Sequence, residues 1–198
     1  VPSWNTVFLL QNQKETAAGF DAAGNWLILA DRQGVGDRLA SHIEGSGGRC
    51  TILHAEEPLD TLLNISRVVP PQWRGVVHLW SLDAAPPESL DADTLATAER
   101  LTCESTLQLV HALATGEPTS LWLVTRGAQE IGSAVANVSV AQAPLWGVAR
   151  TVAYEHPEFH CRCVDLDPAA PMAADALWGE MRAAQVNGYA DQAAFRGT

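Results

Sequence analysis

The sequence predicts an α/β fold, a mostly parallel, doubly wound sheet with helices on both faces. Three observations carry this. Short runs without a solvated face recur along the 198 residues, and such a run must be buried on both sides, as in the interior of a parallel sheet. Stretches with apolar residues every three or four positions stand between the runs, so strands alternate with helices. Glycine and proline clusters mark the junctions.

Trp4 to Leu10 reads as an extra strand, followed by a loop from Glu15 to Gly24. Trp26-Leu27-Ile28-Leu29-Ala30, between Gly24-Asn25 and Asp31, is the first interior strand. Val35, Leu39 and Ile43 then make one helix face, stopped at Gly45-Ser46-Gly47-Gly48. A second strand is expected at Cys50 to Leu53. A stripe at Leu59, Leu62, Leu63, Ile65 and Val69 follows, ended by Pro70-Pro71. The third strand spans Gly75 to Trp80, with a loop at Asp83 to Glu88. The longest helix should run from about Asp91 to Thr115, with Leu95, Ala98, Leu101, Ser105, Leu109 and Ala112 on its inner face and Gly116-Glu117-Pro118 ending it. Leu121 to Val124 is the fourth strand, followed by a helix from about Ala143 to Glu155 that stops at His156-Pro157. His160 to Leu166 alternates more than the others, which points to a strand nearer an edge. A last helix, from about Ala173 to Val186, stops at Asn187-Gly188. Tyr189 to Phe195 reads as a trailing strand, free to pair with the leading one or with a neighbouring domain. One domain over 1–198 accounts for all of this: an N-terminal strand and loop (1–24), a core (25–168), and a C-terminal helix and strand (169–198).

Apolar residues make up 47% of the chain and charged ones 18%, the composition of a globular domain with a core of its own. The net charge of −11 opposes binding to nucleic acid or to an anionic membrane through a basic face. Cys50, Cys103, Cys161 and Cys163 form no C-x-x-C pair, so zinc is not expected, and Cys161 and Cys163, two apart, would share a strand face as reduced core thiols. No basic-then-apolar leader opens the chain, and no apolar run approaches the ~18 residues of a membrane span. A cytoplasmic setting is expected. The chain opens at Val1 and stops at Thr198, and it reads as a piece of something larger.

The turn after the first interior strand is where a dinucleotide fold carries G-x-G-x-x-G and receives pyrophosphate at a helix N-terminus. Here it reads Asp31-Arg32-Gln33-Gly34-Val35-Gly36-Asp37-Arg38-Leu39. Gly34 and Gly36 keep the G-x-G, Leu39 replaces the third glycine, and the flanking Asp31 and Asp37 would repel a phosphate. Glu56 stands where an acid could bond a ribose hydroxyl. The plainer reading is a turn that only starts a helix. Ketone reduction by a phenol acid needs a tyrosine with a lysine four residues on. Four residues after Tyr154 and Tyr189 stand Glu158 and Ala193, and the one lysine, Lys14, is remote in sequence from both. No Gly-x-Ser-x-Gly elbow is present. His78, His54 and His156 read as core or capping groups, and Asp83, Asp165 and Asp167 as strand-end turn residues. The seven tryptophans are expected as core and interface anchors.

Several segments taken together resemble ketoreductase regions of modular polyketide synthases. They are Val76-Val77-His78-Leu79-Trp80-Ser81-Leu82-Asp83, Leu121-Trp122-Leu123-Val124-Thr125-Arg126-Gly127-Ala128-Gln129, Gln142-Ala143-Pro144-Leu145-Trp146-Gly147-Val148-Ala149-Arg150, Glu155-His156-Pro157-Glu158 and Cys163-Val164-Asp165-Leu166-Asp167-Pro168. They keep the family's order from about Trp26 to Pro168, whereas Val1 to Ala23 matches less well. The resemblance is to the N-terminal, structural half, a truncated Rossmann-like fold that lacks a usable cofactor site and braces the catalytic half. It implies no catalytic, cofactor-binding or metal-ligating residue here and no cofactor. Its implied partners are the catalytic ketoreductase half or an adjacent methyltransferase, dehydratase or enoylreductase domain of the same polypeptide. Two other functions compete with this non-catalytic scaffold, or pseudo-ketoreductase. One is a small NADPH-dependent oxidoreductase using Gly34 and Gly36. The other is a carrier-protein docking module, against which the acidic charge speaks because carrier proteins are acidic too.

Overall fold

The computed structural model describes residues 6–10, 22–55, 72–114, 116–131, 138–170, 173–187 and 192–196. Its strands are β1 (Thr6–Leu10), β2 (Gly24–Ala30), β3 (Gly48–His54), β4 (Trp73–His78), β5 (Ser120–Arg126), β6 (Arg162–Leu166) and β7 (Gln192–Arg196). Its α-helices are α1 (Val35–Gly45), α2 (Ala92–Glu99), α3 (Ser105–Leu113), α4 (Pro144–Glu155) and α5 (Ala173–Asn187). The strands make one sheet in the order β1-β7-β6-β5-β4-β2-β3, and every pairing is parallel. The leading and trailing strands pair with each other, β1 on β7.

Alternation along the strands feeds two cores. Trp26, Ile28, Val77, Val124 and Val164 face α1 and α5, meeting Leu39, Ile43, Leu177 and Met181. Leu27, Leu29, Val76, Leu121 and Leu123 face α3 and α4, meeting Leu109, Leu113, Leu145 and Trp146. The sheet is therefore doubly wound, as its apolar runs require.

Three details differ from the sequence expectation. β6 lies between β5 and β7, not near an edge: the added β7 and β1 cover it, and its Cys163 to Leu166 are all buried. β4 ends at His78, and Trp80–Asp83 forms a 3-10 helix instead of continuing the strand. The long helix is interrupted: Arg100–Glu104, between α2 and α3, is a π-helical turn, and Leu95 is 49% exposed rather than inward. The Leu59 to Val69 stripe lies outside the described residues.

Candidate functional site

In a doubly wound sheet ligands bind beyond the carboxyl ends of the strands, at the switch point where successive connections leave in opposite directions. Here that point lies between β2 and β4, since β3 sits on one side of β2 and β4 on the other. The turn Asp31–Gly34 joins β2 to α1 beside it.

Gly34 takes a left-handed backbone, φ 85°, which a residue with a side chain adopts only with strain. Gly36 is needed for close approach: a Cβ there would stand 2.6 Å from the Ala30 Cβ and 2.9 Å from its Cα. The two glycines thus shape the turn and seat α1 on β2. The first turn of α1 is capped by Asp31. This carboxylate, 1% exposed, accepts hydrogen bonds from the backbone N–H groups of Gln33 (3.0 Å), Val35 (3.3 Å) and Gly36 (2.8 Å). Those donors form the nest a pyrophosphate would use.

The mouth above is strapped. Arg32 N–H donates to Asp83 Oδ1 at 2.9 Å. Gln33 donates through Nε2 to the Leu82 carbonyl (3.0 Å) and accepts at Oε1 from Arg126 Nη1 (2.8 Å). One side chain therefore links the segments that follow β2 and β4 to the end of β5. A second carboxylate does the same further along the edge. Asp165, fully buried, accepts from Thr125 Oγ1 (2.7 Å), Ala128 N (2.8 Å), Gln129 N (3.1 Å) and Arg196 Nη2 (2.6 Å). Trp146 Nε1 donates to the same Thr125 oxygen at 3.0 Å. Asp167 caps the next turn, accepting from Ala169 N at 2.8 Å.

Of the remaining candidates among the described residues, His54 and His78 close β3 and β4 at this same edge, and Tyr154, Glu158, Cys161 and Cys163 lie elsewhere. Tyr154 is 73% exposed in the last turn of α4, a helix that leaves from the end of β5 and runs back about 18 Å along the sheet. Glu158 accepts from His156 Nδ1 at 3.0 Å, and His156 stacks on Phe159. Its own backbone N–H and His156 hold the Glu158 carboxyl below the usual range. His54 ends β3, and Asp37 is exposed on α1. Ala193 is buried in β7. Cys161 and Cys163 are buried in one core, as free thiols. Burial pushes Cys163 well up, and burial with the Glu44 charge pushes Cys50 up to about 11. His78 is fully buried, 2.7 Å from Ser105 Oγ. Lys14, Glu56 and Tyr189 lie outside the described residues. Gln33, Arg126 and Arg196 carry the strapping, and the sequence singles out none of them: a lone Gln or Arg has no spacing signature.

Residues 25–198 match the Rossmann fold domain of the polyketide synthase extender module SpnB. The chain belongs to this family. One component of the phenolphthiocerol/phthiocerol polyketide synthase of Mycobacterium tuberculosis is 27% identical to this SpnB-type Rossmann domain over 196 residues, 97% of the chain and 9% of that protein. Polyketide synthase GfsA of Streptomyces halstedii is 37% identical over 125 residues, 62% of the chain and 2% of that protein. The domain therefore spans a tenth or less of these two relatives. A solved C2-type ketoreductase from a modular polyketide synthase matches with a TM-score of 0.66 at 27% identity, over 96% of the domain and 39% of the solved chain. This is a Rossmann domain of the polyketide synthase ketoreductase type. Among the described residues no helix is long and apolar enough to cross a membrane.

Proposed function

We propose that this domain is the non-catalytic, bracing half of a ketoreductase region in a modular polyketide synthase. It holds the catalytic ketoreductase half, or a neighbouring methyltransferase, dehydratase or enoylreductase domain, of the same polypeptide. On this reading 1–198 is one subdomain, and none of its residues has a catalytic, cofactor or metal role. Holding reacting groups in place is worth several kcal/mol of barrier, so a part with no chemistry still contributes.

The observation that supports this best is the Asp31 carboxylate on the α1 amides. A dinucleotide phosphate would have to displace a buried, triply bonded carboxylate of the same sign. Gln33 also ties the segments beside that turn together through the Leu82 carbonyl and Arg126. For the brace itself, the support is the outward side of α3 and α4, where Leu107 is 57% and Tyr154 73% exposed. An interface above about 1,000 Å² would cover them.

Fluorescence titration of the chain with NADPH tests the reading. The expected result is no saturable binding. Saturable micromolar binding would overturn it in favour of an oxidoreductase built on Gly34 and Gly36.

A further inference from the structure

The helix that follows β4 carries an extra residue, and the extra residue has a directional effect. At 3.6 residues per turn, Leu95 and Leu107 would point about 120° apart on an unbroken α-helix. A π turn absorbs one residue, about 100° of rotation, and leaves them about 20° apart. Both are outward, 49% and 57% exposed, while Ala98, Thr102, Ser105 and Leu109 are buried. An unbroken helix in phase with Ser105 and Leu109 would instead turn Leu95 inward.

The π turn has a local cause. Ser105 N–H bonds the carbonyls of Arg100, five residues back, and of Thr102, and not that of Leu101. The Ser105 hydroxyl takes over the Leu101 carbonyl at 2.9 Å. That uses its only proton, so toward His78 Nε2, 2.7 Å away, the Ser105 oxygen accepts. His78 therefore carries its proton on Nε2, a tautomer assigned from the network. The imidazole is rigidly placed: its residue pairs with Leu29 of β2 and Leu123 of β5 in the middle of the sheet. Thr102 Oγ1 bonds the Ala98 carbonyl at 2.7 Å and completes the set of hydroxyls across the turn.

We propose that His78 is a positioning residue. Its bond to Ser105 holds the π turn, and the turn rotates α2 so that Leu95 joins Leu107 in one outward apolar stripe. The use of that stripe as a docking surface rests on the bracing function above; the phase of the helix does not.

The test is the solvent exposure of the Leu95 and Leu107 methyl groups in this chain, read by NMR with a soluble paramagnetic agent. In the unaltered chain both should broaden. In His78→Leu the turn should regularise, and Leu95 should lose its broadening toward the level of the buried Leu109, with Leu107 unchanged. Deleting Cys103 in the His78→Leu background should remove the extra residue and return Leu95 to solvent. Leu95 staying exposed in His78→Leu would overturn the proposal. Should that variant not fold, Ser105→Ala is read in the same way. The ring nitrogen shifts of His78 in the unaltered chain add a check without mutation: a proton on Nδ1 would also overturn it. Binding of the rest of the polypeptide is measured separately, so a failure to dock with the helix phase intact counts against the brace and not against His78.

Discussion

Asp31 shows how one side chain decides what a turn can hold. Its carboxylate serves three amides at the start of α1, and replacing it by alanine would leave those donors with neither carboxylate nor phosphate. Charge-assisted hydrogen bonds are worth about 1.5–3 kcal/mol each, but solvent entering the gap repays part of the loss. Asp31→Ala should therefore lower stability by about 2–3 kcal/mol, read from the urea midpoint. Asp31→Asn, which keeps one acceptor, should lose less. His78 carries a second prediction. Burial pushes its imidazole down from 6.5 to about 4. Between those values the unfolded chain binds a proton that the folded chain refuses. Stability is therefore full above about pH 6.5 and falls as the pH drops toward 4. At 1.36 kcal/mol per unit the loss is at most about 3 kcal/mol. Glu180, which burial pushes up, acts in the opposite sense in the carboxylate range. The His78 share is thus the difference in urea midpoints between the unaltered chain and His78→Gln over pH 7 to 4.5. That difference should shrink as the pH falls, because the variant has no buried imidazole to protonate.

At the scale of elements, the buried pair Asp165–Arg196 ties β5, β6 and β7 to the turn after Gly127. Besides the carboxylate, Arg196 reaches the Gln129 carbonyl. Removing one member of a buried pair costs about 3–5 kcal/mol because the other charge stays behind. Arg196→Met, which leaves the fully buried Asp165 charge behind, should be in that range. Asp165→Ala should be there too, because Arg196 keeps some contact with solvent but Thr125 Oγ1, Ala128 N and Gln129 N lose their acceptor. Their double variant should cost less than the sum of the two. Amide exchange should speed up first in β7 and at Ala128 and Gln129. Elements are also where the sequence is most and least legible. The runs at Trp26 to Ala30 and Leu121 to Val124 announce two-sided burial, and burial on both faces defines an interior parallel strand. The π turn is not legible: Leu95, Ala98, Leu101 and Ser105 suit an unbroken α-helix, and the interruption depends on His78, a residue on another element. The edge placement of β6 fails for the same reason, because only the later β7 covers it. Gly34 and Gly36 do start a helix, as their turn suggests. The capping role of Asp31 stays hidden in the sequence, where the same carboxylate reads only as a charge that repels phosphate.

The two faces of the whole molecule are finished differently. On the α1 side the outward residues Asp37, Arg38, Ser41 and Glu44 are exposed and polar, as a solvated helix requires. On the other side α3 and α4 lie against each other and present Leu107 and Tyr154 to solvent. Isolated apolar residues on a surface are ordinary, so exposure alone decides nothing; the contrast between faces and the family of much longer polypeptides give it weight. If this side is the brace, charge placed on it should uncouple the two parts without unfolding either. Leu107→Asp with Tyr154→Asp should leave the chain's melting temperature nearly unchanged, because neither side chain is in a core. It should abolish co-purification with the remainder of the ketoreductase region. Asp37→Ala with Glu44→Ala, on the opposite face, should leave that association intact. Equal loss from both pairs would mean an effect not confined to this face, and no loss from the first pair would move the contact to the sheet edge beyond β1, where the chain's first strand is added.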